Sequence, residues 1–378
     1  MDSCVDCKRE PACLATRKRH LCRECFIKFI HTKARKRMDK YKDGPKDKTP
    51  TLILPLSFGV SSLSLLHLLD DQLAHQRGNE YKRVPYKLHV LSVKSPTLDA
   101  PEGSETTRLG LLRSAFPEHT FTEIPFHSIF RYDKNVAEFM LQHSTGSEIN
   151  DASISDEDRL EAFRSSLSTM TSRADFDGVL LRKLVVAFAN SEGCDGVLWG
   201  DSDTRLAAKT LAGVANGRGT ALPWEVCDGP TPWGVHFTFP VRDIFKSELV
   251  QYASARFPDL LSKTGSKEPK IFNEQATKNI SISELMTQYV EQQGEKYPGV
   301  MANIVRTIDK LQPSRLHSGL QCVYCGVPLE SAQMDPATLS ILEERDLTSD
   351  KDVTSKPTCY GCARTFLDFK LPTPSSKS

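Results

Sequence analysis

The chain has no apolar run of membrane length: the longest, TLILPL at 51–56, is interrupted by Pro55. Its first residues carry cysteine and acid where a secretory signal needs a basic segment followed by an apolar one, so a soluble, unexported protein is expected. It is also short of net charge, at +1 over 378 residues. That balance is uneven. Residues 1–48 hold 15 Lys/Arg against 7 Asp/Glu, and the remainder holds 34 against 41, so a basic head precedes an acidic body. Such asymmetry points to polyanion contact, although a solvated helix face accounts for it as well. With 39% hydrophobic and 26% charged residues the chain is neither disordered nor membrane-spanning, and its length suits two or three units.

Cysteine is plentiful, and its spacing is regular. Eight of the 11 cysteines form four Cys-x2-Cys pairs, two near each end. Cys4 and Cys7 with Cys22 and Cys25 make one set, and Cys322 and Cys325 with Cys359 and Cys362 the other. Thiolates three apart can point into one turn, and two such turns complete a tetrahedral site, so two structural zinc sites are expected. Reduced surface cysteine is the competing reading, and iron suits a thiolate-only site as well. Gly326 and Gly361 are expected to let backbone amides turn toward the sulfurs. Four ligands per metal leave no open position for a substrate, and a cytosolic or nuclear compartment follows from free thiols. Cys13 is read as a spare surface thiol.

After the first cysteine set, Phe26, Phe29, Ile30, Ala34, Met38 and Tyr41 share a helical face, while Lys33, Arg35, Lys36, Arg37 and Lys40 lie largely around the other. DGPKDKTP is a linker. TLILPLSFGVSSLSLL then opens a core as strand, small-residue loop and helix, a geometry that aims backbone N–H groups at an anion such as pyrophosphate. Serine caps open many helices that bind nothing. Strands at VPYKLHVLSV, TFTEIPF, DGVLWG and GVHFTFPV alternate with helices at TTRLGLLRSAF, NVAEFMLQHS, DGVLLRKLVVAFANSEG and RLAAKTLAGVANGRG. GSEINDASISDEDR is read as a polar spacer. The pattern predicts an α/β fold with a mostly parallel sheet and ligands at the carboxyl ends of its strands.

The paired knuckle, Ser57-Phe58-Gly59-Val60-Ser61-Ser62, the strand end Gly200-Asp201, PVRDIFKSEL, YPGVMANIVRTIDKL and the C-terminal pairs together resemble the PP-loop ATP pyrophosphatase family of tRNA thiolation enzymes. The likeness covers nearly the whole chain. It implies a PP-loop core at 49–256 between a Cys4 zinc module with basic helix at 1–48, a helical extension at 257–318 and a second Cys4 zinc module and tail at 319–378.

The departures matter as much as the matches. Catalytic members read Ser-Gly-Gly-x-Asp-Ser, and this chain keeps Ser57, Gly59 and Ser62 but has Phe58 for a glycine and Ser61 for the aspartate. A Phe would crowd the phosphates, and serine is a poor ligand for magnesium, so both argue against ATP turnover. Catalytic relatives carry a further core Cys-x2-Cys, near SRADFDGVLLRK here, where there is no cysteine. Cys194 and Cys227 are read as buried small hydrophobes rather than a reactive pair. Arg242 and Lys246 would reach toward an anion while Glu248 begins a helix; a charged first turn accounts for them equally.

The resemblance thus implies a cytoplasmic, non-catalytic subunit, heterodimeric with a catalytic PP-loop thiolation subunit, that helps present tRNA. The complex would 2-thiolate the wobble uridine of lysine, glutamate and glutamine tRNAs with sulfur from a thiocarboxylated ubiquitin-related modifier. The alternatives are that the chain is itself an ATP-dependent thiotransferase or that it is a zinc-dependent adaptor.

Overall fold

The computed structural model describes residues 3–17, 19–41, 48–78, 84–94, 104–143, 154–265, 280–311, 321–329 and 357–367. The N-terminal module opens with a hairpin of β1 (Leu14–Thr16) and β2 (Arg19–Leu21). Helix α1 (Arg23–Met38) follows and buries Phe26, Ile30, Ala34 and Met38, the apolar stripe expected of it.

Strand β3 (Thr51–Leu56) leads into α2 (Val60–Arg77), β4 (Lys87–Lys94), α3 (Ser104–Ala115) and β5 (Thr120–Pro125). Next come α4 (Ile129–Tyr132), α5 (Lys134–His143), α6 (Asp156–Ser166) and α7 (Met170–Ser191). The last four residues of the expected polar spacer are therefore helix, and its residues 146–153 lie outside the described residues. The Ser155 hydroxyl accepts from the Asp158 N–H, and three acids in the first turn favour that end of α6. Helix α7 also begins earlier than its apolar pattern suggested, capped by Thr169.

The chain continues through β6 (Gly196–Leu198), α8 (Asp203–Ala215), α9 (Leu222–Glu225), β7 (Gly229–Pro230) and β8 (His236–Thr238). Helices α10 (Lys246–Arg256), α11 (Pro258–Lys263), α12 (Ile282–Lys296), α13 (Pro298–Ile308) and α14 (Tyr360–Leu367) complete it.

The sheet runs β5-β4-β3-β6-β8-β7, parallel throughout except for the antiparallel edge strand β7. Both faces are covered, as parallel sheets require. Ile53, Leu91 and Val197 face one apolar cluster, and Leu52, Leu54, Leu88 and Val90 face the other. The second cluster also takes in Phe26 and Ile30 of α1, so the N-terminal module is packed onto the core. Helices α12 and α13 pack on α8, and Cys322, Tyr324 and Phe366 of the C-terminal module join the first cluster. The strand order reverses between β3 and β6, and the loop after β3 lies at that switch point.

Candidate functional site

The Ser57–Ser62 loop joins the end of β3 to the start of α2, where an anion cradle was expected. Phe58 holds φ +55, a left-handed conformation natural to glycine and costing a bulky residue roughly 1–2 kcal/mol. The Ser62 hydroxyl donates to the Gly59 carbonyl at 3.0 Å and lies 3.2 Å from the Ser57 hydroxyl. Gly200, at the end of β6, sits so close that a Cβ would come within 2.8 Å of Ser62 Cα, which leaves room only for glycine.

Between them is a cavity of about 250 Å³ bordered by Ser57, Ser62, Asp201, Arg205, Lys246 and Glu291. Its cations are engaged. Lys246 pairs with Glu291 and Arg205 donates to the Thr287 hydroxyl at 3.1 Å, while the lining carboxylate Asp201 accepts from Lys209 at 2.5 Å. Helix α12 of the extension supplies Glu291 and Thr287, so the loop is closed from a segment that its own motif gives no hint of.

The element after β8 has the charged first turn that is one of the two readings of its sequence. Arg242 is fully buried and bonded to Asp228 at 3.2 Å and Asp309 at 2.5 Å. Its two Nη groups are thus held by carboxylates inside the protein, and its buried Nε has no partner among the described residues. Glu248 is the third residue of α10 and accepts from the Phe245 N–H at 2.9 Å, capping the helix. It also accepts from Arg17 at 3.1 Å and from the Thr16 hydroxyl, and the Arg17 guanidinium lies 4.1 Å from the Phe245 ring centroid. The tip of the N-terminal hairpin is thereby clamped to α10.

The basic helix divides into engaged and free residues. Arg37 donates to Asp243 at 2.7 Å and Asp228 at 3.2 Å, which ties it to the core. Lys33 Nζ lies 5.4 Å from the Phe29 ring centroid and Lys40 Nζ 5.1 Å from that of Tyr41. Arg35 and Lys36 are exposed.

Each cysteine set converges. In both, the four sulfurs lie within 4.8 Å of one another, Cys7 to Cys22 being 3.8 Å and Cys325 to Cys359 3.6 Å. Four thiolates about 2.3 Å from a central ion stand about 3.8 Å apart, so the spacing fits a tetrahedral metal. Burial pushes the Cys25 thiol up to about 12 alongside its three neighbours. For Cys4 burial acts the same way, but backbone hydrogen bonds from Cys7, Cys22 and Asp6 outweigh it and bring the thiol down to about 6. A bound dication removes the repulsion that separates them.

In both modules the second cysteine pair opens a helix, α1 or α14. Gly326 has φ +70 and makes a turn, its N–H donating to the Cys322 carbonyl at 2.8 Å. Gly361 lies in α14, where a Cβ would meet Arg218 Cγ at 2.6 Å, and the next residue's N–H, that of Cys362, donates to Cys359 Sγ at 3.5 Å. Arg218 places Nη1 3.4 Å from Cys362 Sγ and donates through Nε and Nη2 to Asp175 at 2.6 and 2.5 Å. Arg182 and Trp233 both donate to the Cys325 carbonyl at 3.1 Å, and Lys183 to that of Tyr324 at 2.7 Å. The C-terminal module is thus fastened to α7 through the segment SRADFDGVLLRK.

Cys194 is buried as expected, whereas Cys227 is only partly buried. Burial pushes their thiols up to about 11 and about 12, far from the thiolate range. Cys13 is exposed.

Among the described residues no helix is long and apolar enough to cross a membrane. A family model described as cytoplasmic tRNA 2-thiolation protein 2 matches residues 281–364. The protein of that name from Coccidioides immitis is 48% identical over 99% of this chain and 100% of its own length. That from Ajellomyces capsulatus is 47% identical over 90% and 95%. Among solved structures, the U34-tRNA thiolase NcsA from Methanococcus maripaludis, described with its 4Fe-4S cluster, superposes with a TM-score of 0.52 at 16% identity, covering 90% of this chain and 96% of that one. That likeness places the core in the PP-loop fold, and the near-complete match to the fungal proteins settles the rest: the chain belongs to the cytoplasmic tRNA 2-thiolation protein 2 family.

Proposed function

We propose that this chain is the non-catalytic subunit of a cytoplasmic complex that replaces the 2-oxygen of the wobble uridine with sulfur in lysine, glutamate and glutamine tRNAs. Its partner is a catalytic PP-loop subunit that adenylates the uridine, with sulfur arriving from a thiocarboxylated ubiquitin-related modifier. The observation that carries this reading is the loop. Phe58 occupies a glycine conformation, Ser61 stands where a magnesium ligand is needed, and Glu291 neutralises Lys246 at the rim. No core thiol is activated, because burial raises both Cys194 and Cys227.

The segment SRADFDGVLLRK supports the same reading. Where the family resemblance places reactive cysteines, this chain has Asp175, Arg182 and Lys183, which hold the C-terminal module. Zinc is the metal we assign to both cysteine sets, since tetrahedral thiolate cages suit an ion with no geometric preference of its own. It would brace each module and leave no coordination position for chemistry. Lys33, Arg35, Lys36 and Lys40 would contact tRNA phosphates, with Arg37 and Arg242 braced internally and Lys246 held by Glu291.

The test is single-turnover thiolation of a wobble-uridine tRNA by this chain alone, by the catalytic subunit alone and by both. Activity that needs both, and survives Ser62→Ala in this chain, is expected. Activity from this chain alone would overturn the proposal.

A further inference from the structure

We infer that the groove between the first cysteine knuckle and α1 is a binding site for single-stranded RNA, with Phe29 as the face on which a base stacks. This deepens the proposed tRNA role and rests on it only for the source of the RNA.

The groove measures about 820 Å³, ample for a nucleotide, and its lining carries four cations and two carboxylates. Arg9, Lys28, Lys33 and Lys36 line it, and none of the four makes an ion pair among the described residues. The two carboxylates in the lining are both spent, Asp6 on Arg19 and Asp243 on Arg37. Four cations with no ion pair among the described residues therefore line one concave surface, which suits a chain of phosphates.

Phe29 makes that surface more than a phosphate rail. Its half-buried ring lies in the groove wall, with Arg17, Arg19 and Lys33 at 6.0, 5.9 and 5.4 Å from its centroid. An aromatic face set among cations is how proteins hold unpaired bases, because every base offers a π face and every nucleotide a negative charge. An acidic peptide would use the cations and leave the ring idle. A duplex would do the same, since its bases are stacked on one another. Both metal-ligand turns border the groove at Cys7 and Cys25, so its shape is set by the metal site.

The experiment measures binding of the full chain to a short oligouridylate, to a blunt RNA duplex of equal length and to polyglutamate, across a salt titration. The single strand should bind most tightly. Phe29→Leu, which keeps bulk and loses the π face, should weaken the single strand by roughly tenfold or more and leave the duplex unchanged, while Phe29→Trp should preserve binding. Replacing Lys28, Lys33 and Lys36 by Gln should lower the salt slope by about 2. Metal content and unfolding temperature verify that each variant is folded. Equal loss on both RNAs with Phe29→Leu, or polyglutamate binding as tightly as the oligouridylate, would overturn the inference. Such a result beside intact two-subunit thiolation would sink the groove alone and not the proposed function.

Discussion

Lys246 Nζ at the start of α10 is paired with Glu291 on α12, across the mouth of the loop cavity. The two side chains are each 30% exposed, so the pair is worth no more than about 1 kcal/mol and can be displaced. Glu291→Gln should therefore leave the unfolding temperature within a few degrees of wild type while tightening inorganic pyrophosphate binding severalfold by calorimetry. No change in pyrophosphate affinity would mean that Glu291 is not what silences the cation.

Phe58 and Ser61 act on the same loop from inside. Phe58→Gly combined with Ser61→Asp keeps the φ of +55 without its cost and adds a hard oxygen ligand for magnesium. The double variant is expected to bind nucleotide more tightly than the wild type and in a magnesium-dependent way, read by equilibrium dialysis with and without the cation. Binding by the wild type at equal affinity would show that neither residue matters.

Metal analysis should return two ions per chain, and Cys362→Ser should remove one of them. Because the C-terminal module contributes Cys322, Tyr324 and Phe366 to the main apolar cluster, its loss should lower the unfolding temperature by many degrees. Asp175→Asn should be nearly as costly, about 3–5 kcal/mol, since it strands the buried Arg218 beside Cys362. A stable, fully loaded Asp175→Asn protein would disprove the bracing role.

Burial lifts the Asp203 carboxyl to about 7, and its Oδ2 has no hydrogen-bond partner. A carboxyl raised above its unfolded value stabilises the fold at acid pH and loses that contribution as pH rises through about 7. Asp203→Asn should accordingly be more stable than wild type at pH 8, by no more than about 4 kcal/mol, with the difference vanishing near pH 4. Denaturant titrations at the two pH values give the answer, and a constant difference would refute it.

The joint between α1 and the core should respond in the opposite sense. Tyr252 of α10 lies 3.1 Å from both His31 and His67, and burial lowers both histidines despite Asp71, with Arg256 adding to the effect. Depressed histidines contribute stability above about pH 6.5 that is lost as pH falls through their folded values. The double change His31→Asn and His67→Asn should flatten the fall in unfolding temperature between neutral and mildly acidic pH. An unchanged slope would place that acid sensitivity elsewhere.

What local pattern encodes was legible in the sequence. The spacing of Cys4, Cys7, Cys22 and Cys25 and of their C-terminal counterparts specifies two thiolate cages, since three-residue separations are a property of single turns. The run through Ile53 and Leu54 into Ser57–Ser62 likewise fixes strand, loop and helix by periodicity and small residues. Ser155 was a capping signal inside a stretch read as a spacer, and its acids favour a helix start as much as a polar loop. The tertiary structure alone decided which charges are free. Arg242 and Lys36 look alike in sequence, yet one is buried between Asp228 and Asp309 and the other borders an open groove. Glu291 reaching Lys246, Arg218 reaching Cys362 and Arg17 reaching Glu248 join residues 45 to 231 positions apart. Such pairs follow from how the sheet and its flanking helices pack, and no local periodicity records them.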